Sequence, residues 1–219
     1  MPRRLPIYFD DHSEPLERRI AVGLHKLALA MKHQAWTKAN DDGLSPTQGQ
    51  VLATLAAEGE LTGTELAERL GLTLPTTSDA VRVLVDKGAV VKSPDPRHPR
   101  DSLLGLTAHG RSLARKVSTW PDFLAAAVGE LGDDERPAFL SGLVKMLRSL
   151  QTQGLIPTSR MCVTCRFFEP DVHDGPMPHH CAFVDAPMAT GHLRLDCAEH
   201  DEADAARRDA VWRRFAPRA

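Results

Sequence analysis

The 219-residue chain contains four cysteines, Cys162, Cys165, Cys181 and Cys197, and all four lie in MCVTCRFFEPDVHDGPMPHHCAFVDAPMATGHLRLDC, residues 161–197. The first two form a C-x2-C unit, and fifteen residues separate each remaining cysteine from the one before it. A C-x2-C knuckle presents two thiolates to one metal, and two further cysteines returned by loops complete a tetrahedron, which suits zinc or an iron–sulfur cluster. Unrelated buried thiols would not be confined to one segment, and in a reducing cytosol such a group points to a metal site before a disulfide scaffold. The cofactor expected is zinc, with a 4Fe–4S cluster as the alternative. Zinc commonly staples small domains that lack a core, and His173, His179, His180, His192 and His200 stand by as spare ligands.

A second set of residues could hold nucleic acid. Thr76, Thr77 and Ser78 are small and polar, as the start of a helix entering a major groove must be for its backbone to approach the bases. One turn on, Arg82 can reach a guanine edge or a phosphate, while Lys87 and Lys92 are spaced for the phosphate backbone. Arg97 and Arg100 would enter or flank the minor groove. Residues 61–107 hold six basic and six acidic side chains, so binding must come from placement and not from bulk charge. The basic groups fall at the recognition helix and the wing, whereas Glu65 and Glu68 fall on the supporting helix.

The elements that position these residues are legible from caps and spacing. Ser13-Glu14-Pro15 opens a long amphipathic helix carrying Leu16, Ile20, Leu24, Leu27, Met31 and Ala35. Ser45-Pro46-Thr47-Gln48 starts a second helix, to about Ala57, and Thr62-Gly63-Thr64-Glu65 is a capping box for a short third one ended by Gly71. Thr73 and Pro75 open the recognition helix, with Val81, Leu84 and Val85 on its apolar side and Gly88 at its end. Residues 89–92 and 103–106 read as strands joined by a proline-rich loop, so a helix-turn-helix is followed by a β-hairpin with arginines at its tip. From Thr107 a helix carries Leu113, Val117, Trp120, Leu124 and Val128, with Pro121 set to kink or break it. A further helix near 133–150, a linker at 154–159 and an amphipathic helix at 201–215 complete the chain. Val211, Trp212 and Phe215 would anchor that last helix, with Arg207, Arg208, Arg213 and Arg214 in water.

The fold expected is mainly α with a small β-wing: a winged helix-turn-helix plus helical dimerisation region over residues 1–154, and a small metal-stapled C-terminal domain over residues 155–219. An apolar fraction of 42% with only 5% aromatic residues favours packed helices. A near-neutral charge, no apolar leader behind the arginines of MPRRLPIYFDDH and no uncharged apolar run of about 18 residues indicate a soluble, cytoplasmic protein with no membrane partner. No G-x-S-x-G, H-E-x-x-H or phosphate-binding glycine loop occurs, so an enzyme is not expected.

The stretch LTGTELAERLGLTLPTTSDAVRVLVDKGAVVKSPDPRHPRDSLLGLTAHG resembles the helix-turn-helix, recognition helix, wing and following helix of the MarR family of bacterial transcriptional regulators. The resemblance covers roughly residues 1–154. It implies a homodimer held by the first helix and the helices near 108–150, reading a palindrome in double-stranded DNA, usually as a repressor and often released by a small effector or by oxidation. The family's wing often reads Asp-x-Arg-Asp-x-Arg; here His98 and Pro99 stand inside that pattern. The cysteine segment is separately similar to the cluster-binding pattern of high-potential iron–sulfur proteins, with Phe167 and Phe168 after C-x2-C and Phe183 after Cys181, but Leu195-Asp196-Cys197 replaces their usual Gly-Trp-Cys. Three regulatory readings stand side by side: a metal site that modulates or stabilises DNA binding, an iron–sulfur redox or iron sensor, and a response to a small phenol or acid with zinc purely structural. A protein-interaction module without DNA binding is the remaining class.

Overall fold

The computed structural model describes residues 12–96, 98 and 101–217. Two compact units are present, one ending at Pro46 and one beginning at Thr47. The first is dominated by helix α1, Leu16–Asp41, which closes with Gly43 at φ 64° and Leu44 N–H donating to the Ala39 carbonyl. On this helix Leu16, Ile20, Leu27 and Met31 are exposed, and Ala39 is the helix residue that is buried.

The second unit opens with α2, Pro46–Glu58, and a two-residue strand β1, Leu61–Thr62. Helix α3, Gly63–Leu70, starts on the capping box read from the sequence: Thr62 Oγ1 accepts from Glu65 N–H and Glu65 Oε2 accepts from Thr62 N–H. It stops at Gly71 in the left-handed region, φ 63°. A side chain there would be strained twice, because a Cβ would also stand 2.9 Å from Pro157 Cγ. Helix α4, Leu74–Asp86, follows after a turn of three residues, and strands β2, Val90–Pro94, and β3, Ser102–Leu106, form the hairpin. The sheet order is β1-β3-β2, all antiparallel, with Leu61 opposite Leu104 and Val90 opposite Leu106. Buried Val51, Leu52, Leu66, Leu84, Val90 and Leu104 bring α2, α3, α4 and the wing onto a common core.

Helix α5, Ala108–Val117, is capped by Thr107, whose Oγ1 accepts from Gly110 N–H and donates to the Gly88 carbonyl at 2.7 Å. Gly110 lies so close to the wing's base that a Cβ would stand 2.0 Å from the Ala89 carbonyl oxygen. The helix expected from Thr107 onward, with Pro121 set to kink or break it, is broken in two: the break falls before Pro121, and α6 runs from Asp122 to Gly129.

Helix α7, Glu135–Thr152, leads into the cysteine region. The segment read as a linker is tied down, since Gln151 Nε2 donates to the Pro157 carbonyl at 3.2 Å and to Ser159 Oγ at 2.8 Å. Beyond it lie a 3-10 turn, Cys162–Thr164, and a second sheet absent from the sequence reading, β4 (Phe168–Glu169), β5 (His179–Cys181) and β6 (Ala186–Met188), in that order and antiparallel. A 3-10 turn at Thr190–His192 contacts α7, and the last helix, α8, Ala205–Phe215, contacts the 162–164 turn. Met161, Val163, Phe168, Met188, Leu193, Val211 and Phe215 form the core of this region together with Val144 from α7. Val211, Trp212 and Phe215 thus anchor α8 as expected. Its arginines are less free than expected: Arg208 pairs with Glu202, and Arg207 reaches Glu169 at 3.7 Å. Among the described residues, no helix is long and apolar enough to cross a membrane.

Candidate functional site

Helix α4 begins with Thr73, whose Oγ1 accepts from Thr76 N–H at 3.4 Å and is 2.8 Å from Thr76 Oγ1. Pro75 in the first turn has no N–H to leave unpaired. Replacing Thr73 by alanine removes the cap and is expected to cost about 1 kcal/mol, read as a fall of about 2–4 °C in Tm for a chain of this size; an unchanged Tm would mean that the cap contributes nothing.

Thr76 and Ser78 are exposed on the first turns of α4, and Arg82 projects one turn further along. Arg82 pairs with Asp79 at 3.3 Å, both side chains well exposed, which leaves the guanidinium free to exchange a weak surface partner for a stronger one. Thr77 requires a correction. It is fully buried and its hydroxyl donates to the Thr73 carbonyl at 3.2 Å, so it supports the helix and does not face a groove. Lys87, just past the helix, is exposed and donates to Gln48 Oε1 at 3.2 Å; Lys92 is exposed on β2. At the wing's tip, Asp101 N–H donates to the His98 carbonyl and Asp95 N–H to the Asp101 carbonyl, closing the loop. Arg97 and Arg100, the expected minor-groove residues, lie outside the described residues.

The cysteine segment is closed at its ends. Arg160 pairs with Asp196 at 2.6 Å, Cys197 N–H donates to the Arg160 carbonyl at 3.0 Å, and Cys162 N–H donates to the Arg194 carbonyl at 3.1 Å. Cys162 and Cys165 are held by the 3-10 turn, with Cys165 N–H on the Cys162 carbonyl at 2.9 Å. Cys181 sits on the central strand β5, opposite Phe168 on one side and Ala186 on the other. These separate anchors bring all four cysteines to one cavity, and none is in a disulfide. Its other walls include Phe167, Phe183, Val184, Pro187 and Met188, with Phe167 and Phe183 edge to face at 5.3 Å between ring centres. Arg194 N–H donates to Cys162 Sγ at 3.2 Å, and Arg194 Nη1 to Cys197 Sγ at 3.6 Å. Burial pushes the Cys162 thiol pKa up, and the other three thiols act in the same direction, against the Arg194 amide, which pulls it down.

Of the five histidines read as spare ligands, His192 lines the cavity. Burial lowers the pKa of His179, keeping it neutral, and its Nδ1 accepts the Asp171 N–H at 3.2 Å while its ring lies 5.4 Å from Phe168. His200 is 3.0 Å from Thr164 Oγ1 through Nε2, and His173 and His180 pair with each other. Among the described residues, no three His, Cys, Asp or Glu side chains converge closely enough to grip a single metal ion.

A helix-turn-helix whose second helix exposes a small polar start, followed by an antiparallel wing, defines a winged-helix protein. Residues 42–101 match the MarR family model. Two solved structures of MepR from Staphylococcus aureus, each 28% identical to this chain, are similar: a MepR–DNA complex, matched over 59% of this chain and 97% of that one at a TM-score of 0.53, and MepR in a DNA-binding conformation, 60% and 98% at 0.54. The chain carries a winged-helix domain that is similar to the MarR family over residues 42–101. No curated protein matches it in sequence. Because nearly all of MepR is accounted for by 59–60% of this chain, the remaining two fifths has no counterpart there.

Proposed function

We propose that this protein is a transcriptional regulator of the MarR type that binds a palindromic operator in double-stranded cytoplasmic DNA as a homodimer, usually as a repressor. The observation that carries the reading is the exposed start of α4, Thr76, Ser78 and Arg82, on a winged helix whose 28%-identical neighbour is solved in complex with DNA. The homodimer is supported by α1, on which Leu16, Ile20, Leu27 and Met31 are exposed. In this reading Cys162, Cys165, Cys181 and Cys197 hold a metal centre that stabilises or modulates DNA binding. Because Val144 of α7 belongs to the same core as the cysteine region, a change there has a packed route to a helix of the proposed dimer.

A second reading concerns the effector. A cleft of about 550 Å³ is lined by Leu55, Leu106 and Ala114 together with Arg111, Arg115 and Glu60, a size suited to a small organic ligand and two cations against one carboxylate for an acid or phenolate.

Selection from a pool of random duplexes tests the main reading. The expected product is a palindrome whose half-sites are centred about 34–36 Å apart, one helical turn. Recovery of no sequence, with binding that remains uniform across duplexes, would move the chain to the class of protein-interaction modules.

A further inference from the structure

We infer that the four-thiol cavity is built for a polynuclear iron–sulfur cluster ligated by Cys162, Cys165, Cys181 and Cys197, and not for a single zinc ion. The inference deepens the metal-centre part of the reading above and is independent of DNA binding.

Size decides first. A closed zinc site has Zn–S distances of about 2.3 Å, which by tetrahedral geometry places neighbouring thiolates about 3.8 Å apart, nearly in contact. Such a site has no space at its centre. Here the four cysteines are among the residues that line one cavity of about 160 Å³, against about 10–15 Å³ for one water molecule. Among the described residues no three donors converge closely enough for one ion, although all four thiols belong to the same cavity. That combination fits a body carrying four separate attachment points at its corners, as a 4Fe–4S cluster held by four cysteines does. An organic ligand fits less well, since pockets for drug-sized molecules run from about 300 Å³ upward.

The wall chemistry points the same way. A cluster is protected by exclusion of water and tuned by hydrogen bonds to its sulfurs. Phe167, Phe183, Val184 and Met188 supply the apolar cover, and the Arg194 amide and guanidinium aim two donors at Cys162 and Cys197. Four thiolates around one inorganic core carry net negative charge, and the Arg194 guanidinium is placed to offset it.

The test uses the full chain, purified without air and then incubated in parallel with ferrous iron plus sulfide and with zinc chloride. The expected result is about four irons and four acid-labile sulfides per chain, with broad visible absorption that a Cys181→Ser variant loses. Phe183, 52% exposed on the cavity wall, provides a variant that leaves ligands and core in place. Phe183→Ala is expected to keep the iron stoichiometry but to bleach several-fold faster in air. One zinc per chain that iron and sulfide fail to displace would overturn the cluster while leaving a metal site standing. Binding of neither metal would overturn both.

Discussion

Exchange of Arg82 for alanine is expected to weaken operator binding by about 2–6 kcal/mol per dimer, because a bidentate arginine–base contact is worth about 1–3 kcal/mol and a two-fold complex makes it twice. That is roughly 30-fold to 10⁴-fold in Kd. The fold should not notice. Arg82 is paired only through an exposed contact with Asp79, of a kind worth about 0–1 kcal/mol at most. Anisotropy titrations over a range of salt concentrations separate the ways the residue can act. If it reads a base, discrimination relaxes at one position in each half-site while the salt slope changes little; if it holds a phosphate, all duplexes lose affinity together and the slope falls by about two, one per half-site. Unchanged affinity would remove Arg82 from the interface and with it the orientation proposed for α4. The buried Thr77 provides the contrast: Thr77→Ala acts on stability through a lost internal hydrogen bond, with no change in base preference.

Thr77 also illustrates where sequence reading and structure part. Thr76-Thr77-Ser78 was legible as a polar patch at a helix start, but a helix turns about 100° per residue and three neighbours cannot share a face. The signal was present: Thr77 stands three before Ala80, four before Val81 and seven before Leu84, all of them buried. The helix-turn-helix itself was legible because its limits are set by local chemistry. The Thr62–Glu65 box, Gly71 and the Thr73–Pro75 start each satisfy or terminate backbone groups within a few residues, and the structure reproduces all three. The break before Pro121 follows from the same local logic and was legible in that proline.

What needed three dimensions was short or non-local. Strand β1 has two residues and the strands of the cysteine region two or three, too few for alternation to register. The four cysteines were legible as one set from residue type and confinement. Their spacing could not say how far apart the thiols stand, since that depends on the 160–162 and 194–197 segments closing on each other and on Cys181 being held in a sheet. The docking of residues 157–159 onto Gln151 is equally non-local, and it turns an apparent linker into part of the fold.

The largest stability effect is expected at Phe168. This side chain is 2% exposed, packs on Phe215 and His179 with ring centres 6.1 and 5.4 Å away, and belongs to the core that also holds Val144 of α7. Phe168→Ala removes a whole ring from a site whose neighbours come from strand β5, helix α8 and the 162–164 turn and cannot all collapse inward, so the cost is expected to be about 3–5 kcal/mol. Phe168 also lines the four-thiol cavity and lies opposite Cys181 on β5, so the same exchange should loosen the anchor of one proposed ligand and lower retention of the proposed metal centre. Trp212, in the same aromatic group with its ring 6.1 Å from Phe215, provides a local probe, and hydrogen exchange resolves the two ends of the chain. The expected pattern is early loss of protection across residues 161–215 and along the Val144 face of α7, with α2 to α4 protected as in the parent protein. If protection instead falls uniformly from α2 to α8, the cysteine region and the winged helix unfold as one cooperative unit. The proposed metal centre would then act on the stability of the whole second unit and not only on the setting of α7.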